Sequence, residues 1–296
     1  MIVVTTPTGG IGRQVLDHLL SAPGAGPLRV VARDPARLPA HVRDRVEVVT
    51  GSHADPDVVA AAFEGAEAVF WLVPPDLAAA SAEDAYTGFT RPAADAFKRH
   101  GVERVVGVSA LGRGTPRERH AGLVTASLAM DDLIAAGGVG YRALALPSFM
   151  DNLLDQAASL RDQGVLRSML AADLAAPTCA TRDIAAVAAR LLLDRAWTGT
   201  GSVAVLGPED LSFTDMAGIL SDVLGRPVRF ERTPPDAFKA RLLGHGVSEP
   251  MARAMVDMFL AKDAGLDNAE PRTPATTTPT TFRQWCEEVL KPALES

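Results

Sequence analysis

The passage from Ile2 to Gly12 constrains this chain more than any other. Ile2-Val-Val-Thr5 is a short β-branched run, suited to a central strand buried on both faces. It breaks at Thr6-Pro-Thr8-Gly9-Gly10-Ile11-Gly12. Ile11, Val15, Leu16, Leu19 and Leu20 then recur at helical spacing until Pro23-Gly24 ends the helix. A strand, a glycine turn and a helix in direct succession form the outline of a phosphate-holding βα unit. Backbone amides unobstructed by side chains approach the anion, and the helix N-terminus faces it. In this reading Gly9 and Gly10 admit a pyrophosphate, and Gly12 lets the helix pack close to the strand. Thr6 stands where a first glycine would complete G-x-x-G-x-x-G and offers a hydroxyl instead. Thr8 and Ile11 belong to the same cradle.

The pattern repeats downstream. Leu28–Ala32 and Val46–Thr50 read as strands, and Asp55-Pro56 opens a helix that Gly65 closes. Ala68–Val73 is a fourth strand, and residues 81–100 form a helix that Pro92 should kink or restart. Arg104–Val108 is a fifth strand, followed by a loop over Ser109–Pro116 and a helix ending near Ala136. Tyr141–Leu146 is a sixth. Six alternations predict an α/β fold, a doubly wound parallel sheet of the Rossmann kind with right-handed crossovers. The dinucleotide should lie across the carboxyl ends of the strands, at the switch point between the first and fourth.

Residues 1–150 are therefore expected to form the dinucleotide-binding domain. Residues 151–296 should form a smaller α/β substrate lobe interleaved with late elements of the sheet. Within it the sequence predicts helices over 152–161, 183–193 and 213–224, strands over 202–206 and 228–231, and a Thr/Pro-rich loop over 271–281. Thr281 and Gln284 form a candidate capping box for the last helix.

Composition removes several classes of function. With 296 residues, 47% hydrophobic and 22% charged, the chain can bury a large core. A net charge of -7 argues against nucleic acid as a direct partner. No segment approaches the roughly 18 apolar residues of a membrane span, and the first residues read as a buried strand rather than a leader. Cys179 and Cys286 fit neither a disulfide framework nor a metal spacing, which suits a reducing cytoplasm. The six histidines, at 18, 41, 53, 100, 120 and 245, show no ligand spacing, so no metal is expected. Oligomeric state is left open.

The end of the second strand refines the cofactor. An acidic residue there usually takes a ribose 2′-hydroxyl, but this chain carries Arg33. A guanidinium can pair bidentately with a 2′-phosphate, a contact worth about 1.5 to 3 kcal/mol. NADP(H) is therefore expected over NAD. The alternative is a surface pair between Arg33 and Asp34.

Several stretches together resemble the NmrA-like atypical short-chain dehydrogenases. They are the glycine turn, Val31-Ala-Arg-Asp-Pro35, Ala62-Phe-Glu-Gly-Ala-Glu-Ala-Val-Phe70, Val108-Ser-Ala-Leu-Gly112, Pro147-Ser-Phe-Met-Asp-Asn152, Arg182-Asp-Ile-Ala185 and Thr278-Pro-Thr-Thr-Phe282. The resemblance covers nearly the whole chain. It implies one of two functions, NAD(P)H-dependent reduction of quinones or ketones, or catalytically silent redox sensing through a protein partner.

The resemblance also exposes a gap. Ordinary short-chain dehydrogenases use Tyr-x-x-x-Lys to pass a proton to the carbonyl oxygen, and the matching places here hold Leu123 and Ser127. The only tyrosines, Tyr86 and Tyr141, have Thr90 and Ala145 four residues on. Hydride transfer still needs chiefly a nicotinamide positioned against its acceptor. In the reductase reading the nicotinamide reaches Val73, Pro74, Ser109 and Pro147. Ser109, at the family's serine position, donates a hydrogen bond to the acceptor oxygen, and His120 is a candidate proton source. Phe149 and Met150 wall a cleft for a small apolar or aromatic substrate. A hydrolase elbow at Gly107-Val-Ser-Ala-Leu-Gly112 is excluded because its second glycine falls one residue late.

Overall fold

The computed structural model describes residues 1–295. In chain order, β1 (Ile2–Val4), β2 (Leu28–Ala32), β3 (Glu47–Thr50), β4 (Ala68–Trp71), β5 (Arg104–Ala110) and β6 (Gly140–Leu146) alternate with helices. The helices are α1 (Gly10–Ser21), α2 (Pro56–Phe63), α3 (Phe89–Arg99) and α4 (Leu123–Ala136). After β6 come β7 (Ser148–Phe149), α5 (Ala157–Gln163), β8 (Val165–Ser168), β9 (Ala176–Cys179), α6 (Thr181–Leu193) and β10 (Thr200–Ala204). The last elements used below are β11 (Asp210–Leu211), α7 (Phe213–Leu224), β12 (Arg229–Arg232), α8 (Pro235–Gly244) and α9 (Glu249–Asp263).

Seven strands form one parallel sheet in the order β10-β6-β5-β4-β1-β2-β3. The expected α/β doubly wound fold is thus present, with β1 and β4 adjacent at the reversal of strand order. Strands β1, β2 and β4 are buried at every position, as parallel strands covered on both faces must be. Helices α1 and α6 cover one face through Val15, Leu16, Leu19, Ile184 and Ala188. Helices α2, α3 and α4 cover the other through Val59, Ala93, Phe97, Met130 and Ile134. Strand β10 and helix α6 come from beyond residue 150, so the late chain completes the first sheet before building its own layer. That layer holds the small sheets β11-β9-β7 and β12-β8 on a third core with Leu160, Leu166, Phe282 and Trp285.

Several local expectations change. Strand β5 runs on through Ser109 and Ala110, which pair with Ala145 and Leu146, so Ser109 is a strand residue and not the start of a loop. The helix around Pro92 does not restart. Pro92 has no N–H for the carbonyl four residues back, and a π turn over Asp84–Gly88 lies just upstream, where the wider i→i+5 pattern absorbs the mismatch. The helix placed at 152–161 starts as a 3-10 segment over Met150–Gln156 and becomes α-helical only at Ala157. The late strand is Thr200–Ala204, shifted toward the N-terminus of the expected 202–206 by its pairing with β6. Only half of the terminal capping box forms. Thr281 accepts from the Gln284 N–H, while the Gln284 side chain turns to Glu288.

Candidate functional site

At the carboxyl ends of β1, β2, β3 and β4 lies a cleft of about 1020 Å³. Its floor is the turn between β1 and α1. Gly12 is obligatory there, because a Cβ would lie 1.9 Å from the Thr6 carbonyl oxygen. Helix α1 follows Gly9 as its N-cap residue, with no side-chain cap and no acidic residue in its first turn, so its positive end is open to an anion. The Thr6 hydroxyl is buried and has no hydrogen-bond partner. An unpaired polar atom at the wall of a phosphate-sized turn can pair with an anion held there, and these residues fit a pyrophosphate.

The far end of the cleft is basic. Arg33 and Arg37 both line it. Asp34 accepts from the Ala36 N–H at 3.0 Å and caps the Pro35–Arg37 turn. Among the described residues Arg33 has no ion pair, so the alternative partner expected for it is occupied otherwise. His53 closes the same end, edge-on to Trp71 and Phe89. Its Nε2 sits 3.0 Å from the Leu72 carbonyl, which assigns the hydrogen to Nε2. Burial pulls this imidazole down to about 4, against the Leu72 hydrogen bond, and nearby Arg33 adds to the fall.

A second, inner pocket of about 340 Å³ continues from the first, sharing Ile11, Leu72, Pro74, Pro75, Phe149 and Asn152 with it. Its wall includes Val73, Ser109, Pro147, Ser127, Tyr86 and Lys262. Ser109 Oγ donates to Asp131 Oδ2 at 2.5 Å and lies 3.5 Å from Ser127 Oγ. The Tyr141 hydroxyl donates to the other Asp131 oxygen at 2.6 Å. Its ring reaches there across Gly107, where a Cβ would lie 2.2 Å from the phenolic oxygen. Burial pushes Asp131 up to about 6, while the Ser109 and Tyr141 hydrogen bonds and Arg113 hold it from rising further. Burial alone pushes the Tyr86 phenol up to about 12, and among the described residues its hydroxyl has no partner.

The structure therefore brings together Thr6, Thr8, Gly9, Gly10, Ile11, Gly12, Arg33 and Pro74 in the outer cleft, and Val73, Pro74, Ser109, Pro147 and Phe149 in the inner pocket. Two expected residues lie elsewhere. His120 is exposed on the Glu118–His120 turn and borders neither cavity. Met150 is 3% exposed and packs in the third core, one position past Phe149 and on the opposite side of the chain. Sequence reasoning missed Arg37, His53, Tyr86, Ser127, Asp131 and Lys262. Arg37 and His53 had a signal, since each follows the end of a strand whose neighbours already pointed to the cofactor. Among the described residues no cluster of His, Cys, Asp or Glu is arranged to hold a metal, and no helix is long and apolar enough to cross a membrane.

Comparison with known proteins adds four findings. A family described as NAD(P)H-binding matches residues 7–195. The (4-alkanoyl-5-oxo-2,5-dihydrofuran-3-yl)methyl phosphate reductase of Streptomyces griseus is 32% identical over 86% of this chain and 85% of its own length. Among solved structures, triphenylmethane reductase from Citrobacter sp. complexed with NADP(H) superposes with a TM-score of 0.80 at 20% identity, covering 99% of this chain and 100% of that one. The NADPH complex of a quinone oxidoreductase from Escherichia coli gives 0.77 at 21%, covering 96% and 98%.

Proposed function

The chain belongs to the NAD(P)H-binding, NmrA-like family of atypical short-chain dehydrogenases, and on that premise we propose that it is an NADPH-dependent reductase of quinones or other activated carbonyls. The observation that carries the reading is the continuity of the two cavities. A phosphate cradle with two guanidiniums at one end opens, past Leu72, Pro74 and Phe149, into a largely apolar pocket of small-molecule size. NADPH, when bound, supplies the hydride. Arg33 and Arg37 select it over NADH through the 2′-phosphate, and the Thr6 hydroxyl gains the partner it lacks. The furanone and the quinone in the names of two of these relatives are conjugated carbonyl acceptors, and Phe149, Pro74 and Pro147 offer such a substrate flat apolar walls. Buried, unpaired Cys179 and Cys286 suit a cytoplasmic protein.

Asp131 governs what Ser109 can do. An ionised carboxylate accepts the Ser109 hydrogen, whereas a protonated one donates to Ser109 Oγ and frees that hydrogen for the acceptor oxygen. With Asp131 at about 6, Ser109 is a hydrogen-bond donor to substrate in mild acid and mainly pocket wall above neutrality. The test is oxidation of NADPH across a panel of quinones and ketones, with NADP+ and NADPH binding titrated alongside. Turnover is expected, with Ser109→Ala costing roughly tenfold below pH 6 and little at pH 8. Binding that strongly discriminates NADP+ from NADPH, with no turnover of any acceptor, would support a redox sensor in its place. Failure to bind either nucleotide would defeat both.

A further inference from the structure

The inner pocket carries one charged side chain on its wall among the described residues, Lys262. It sits at the end of α9, is 7% exposed, and pairs through Nζ with Asp267, which is 3% exposed. The chain joins the two by reversing at Gly265, where φ is 87° and the N–H donates to the Lys262 carbonyl. This corner is seated on the loop that follows β5. The Leu266 side chain fills the space beside Gly112, and α9 approaches Gly122 so closely that a Cβ there would lie 1.9 Å from the Ala254 carbonyl oxygen. An ammonium has three N–H donors. One meets Asp267, and among the described residues no hydrogen bond uses the others. Asp267 Oδ1 is also buried without a partner. As a purely structural element, an ion pair buried like this could be replaced by apolar side chains of the same size with little or no loss. Spare donors on a substrate wall are what a developing oxyanion requires.

We propose that Lys262 is the catalytic residue that holds the acceptor oxygen during reduction, with Asp267 fixing its position; this rests on the reductase reading above. As the acceptor carbon receives hydride from NADPH, a C–H bond forms there and the nicotinamide C–H bond breaks with its electron pair. The carbonyl π pair moves onto oxygen, so the acceptor is reduced to an oxyanion while NADPH becomes NADP+, and the oxyanion then takes a proton from water. Lys262 faces that oxygen with charge and two N–H donors at the moment the charge appears. Above neutrality Ser109 cannot substitute, because its hydrogen is directed to Asp131.

The probe is 4-nitrophenol, whose phenolate imitates the reduced acceptor and is read by its visible absorbance. Bound to the wild-type protein saturated with NADP+, it is expected to ionise about 1 to 3 pH units below its value in free solution. In Lys262→Met/Asp267→Asn the shift should vanish while NADP+ affinity holds within about twofold. The double variant is used because removing Lys262 alone would strand a buried carboxylate. Quinone turnover should fall about 100- to 1,000-fold in kcat. A wild-type titration with no shift overturns the proposal and needs no variant; so does an equal shift in both proteins. Loss of turnover confined to acceptors bearing phosphate or carboxylate also overturns it, by placing Lys262 on a substituent. A phenolate shift that depends on Lys262, in a protein that turns over no acceptor, supports the anion cradle and counts against the reductase reading alone.

Discussion

Asp131 and His53 are both buried beside the cleft and both displaced from their ordinary ionisation, in opposite senses. Asp131 is raised by burial from 3.8 to about 6. The folded state thus binds its proton more tightly than the unfolded state, and the associated stability is full below about pH 4 and lost as pH rises through 6. His53 is lowered by burial from 6.5 to about 4. Its contribution is full above pH 6.5 and lost as pH falls toward 4. Each displacement corresponds to roughly 3 kcal/mol, so between pH 4 and 6 the two largely offset each other. Asp131→Asn keeps the shape and can still accept from Tyr141 and donate to Ser109, but it no longer titrates. Urea midpoints between pH 6.5 and 4 should therefore drop more steeply in this variant than in the wild type; parallel slopes would show that the two groups do not compensate. His53 was marked only by following the end of β3, and Asp131 by nothing. Asp131 is one of two adjacent acids on a helix, and only the Gly107 gap that admits Tyr141 makes it the buried one. Tyr86 and Lys262 meet across one pocket from distant parts of the chain, which no local spacing records.

At the scale of elements, the sheet was legible because its signals are local. Apolar β-branched runs end at glycine or proline, and the caps foreseen at Asp55 and Thr281 do accept backbone N–H groups. Six later elements escaped, among them the two-residue strands β7 and β11. Strand β9 contains Pro177, which a sheet tolerates only at such a short, irregular position, and β8 has four residues. Helix α8 buries only Phe238, and α9 buries mostly Met and Ala, so neither shows a strong apolar stripe. Yet α9 carries Lys262, and its seat depends on one residue. Gly122 precedes α4 with φ 53° and ψ -114°, outside the range of ordinary side chains, and its α carbon touches the α9 backbone. Gly122→Ala should cost about 1 to 3 kcal/mol in strain alone, lowering the melting temperature by roughly 2 to 5 °C. It should also raise KM for the acceptor while the NADPH dissociation constant stays near its original value. Equal losses in both would mean that α9 does not move independently of the nucleotide cleft.

For the whole molecule, the outer cleft joins the first sheet to the late chain. Gln14 of α1 donates to Thr181 Oγ1 at 3.0 Å, and Thr181 in turn donates from its hydroxyl and its N–H to Asp151 at 2.7 and 2.9 Å. Asp151 and Thr181 line the cleft together with the glycine turn. A nucleotide seated there touches both halves and stabilises them as one unit, so melting should remain a single transition. NADPH at 100 times its dissociation constant adds about 2.7 kcal/mol, a rise of roughly 4 °C for a chain of this size. If the 2′-phosphate contacts of Arg33 and Arg37 are worth tenfold in affinity, NADH at the same concentration supplies about 1.4 kcal/mol and leaves a gap of roughly 2 °C between the two cofactors. Arg33→Ala/Arg37→Ala removes only the phosphate partners, both exposed and outside the core. It should bring the NADPH melt down onto the NADH melt without lowering the melting temperature of the nucleotide-free protein. A gap that survives in this variant would place the 2′-phosphate elsewhere in the cleft, and equal rises in the wild type would remove the NADPH preference altogether.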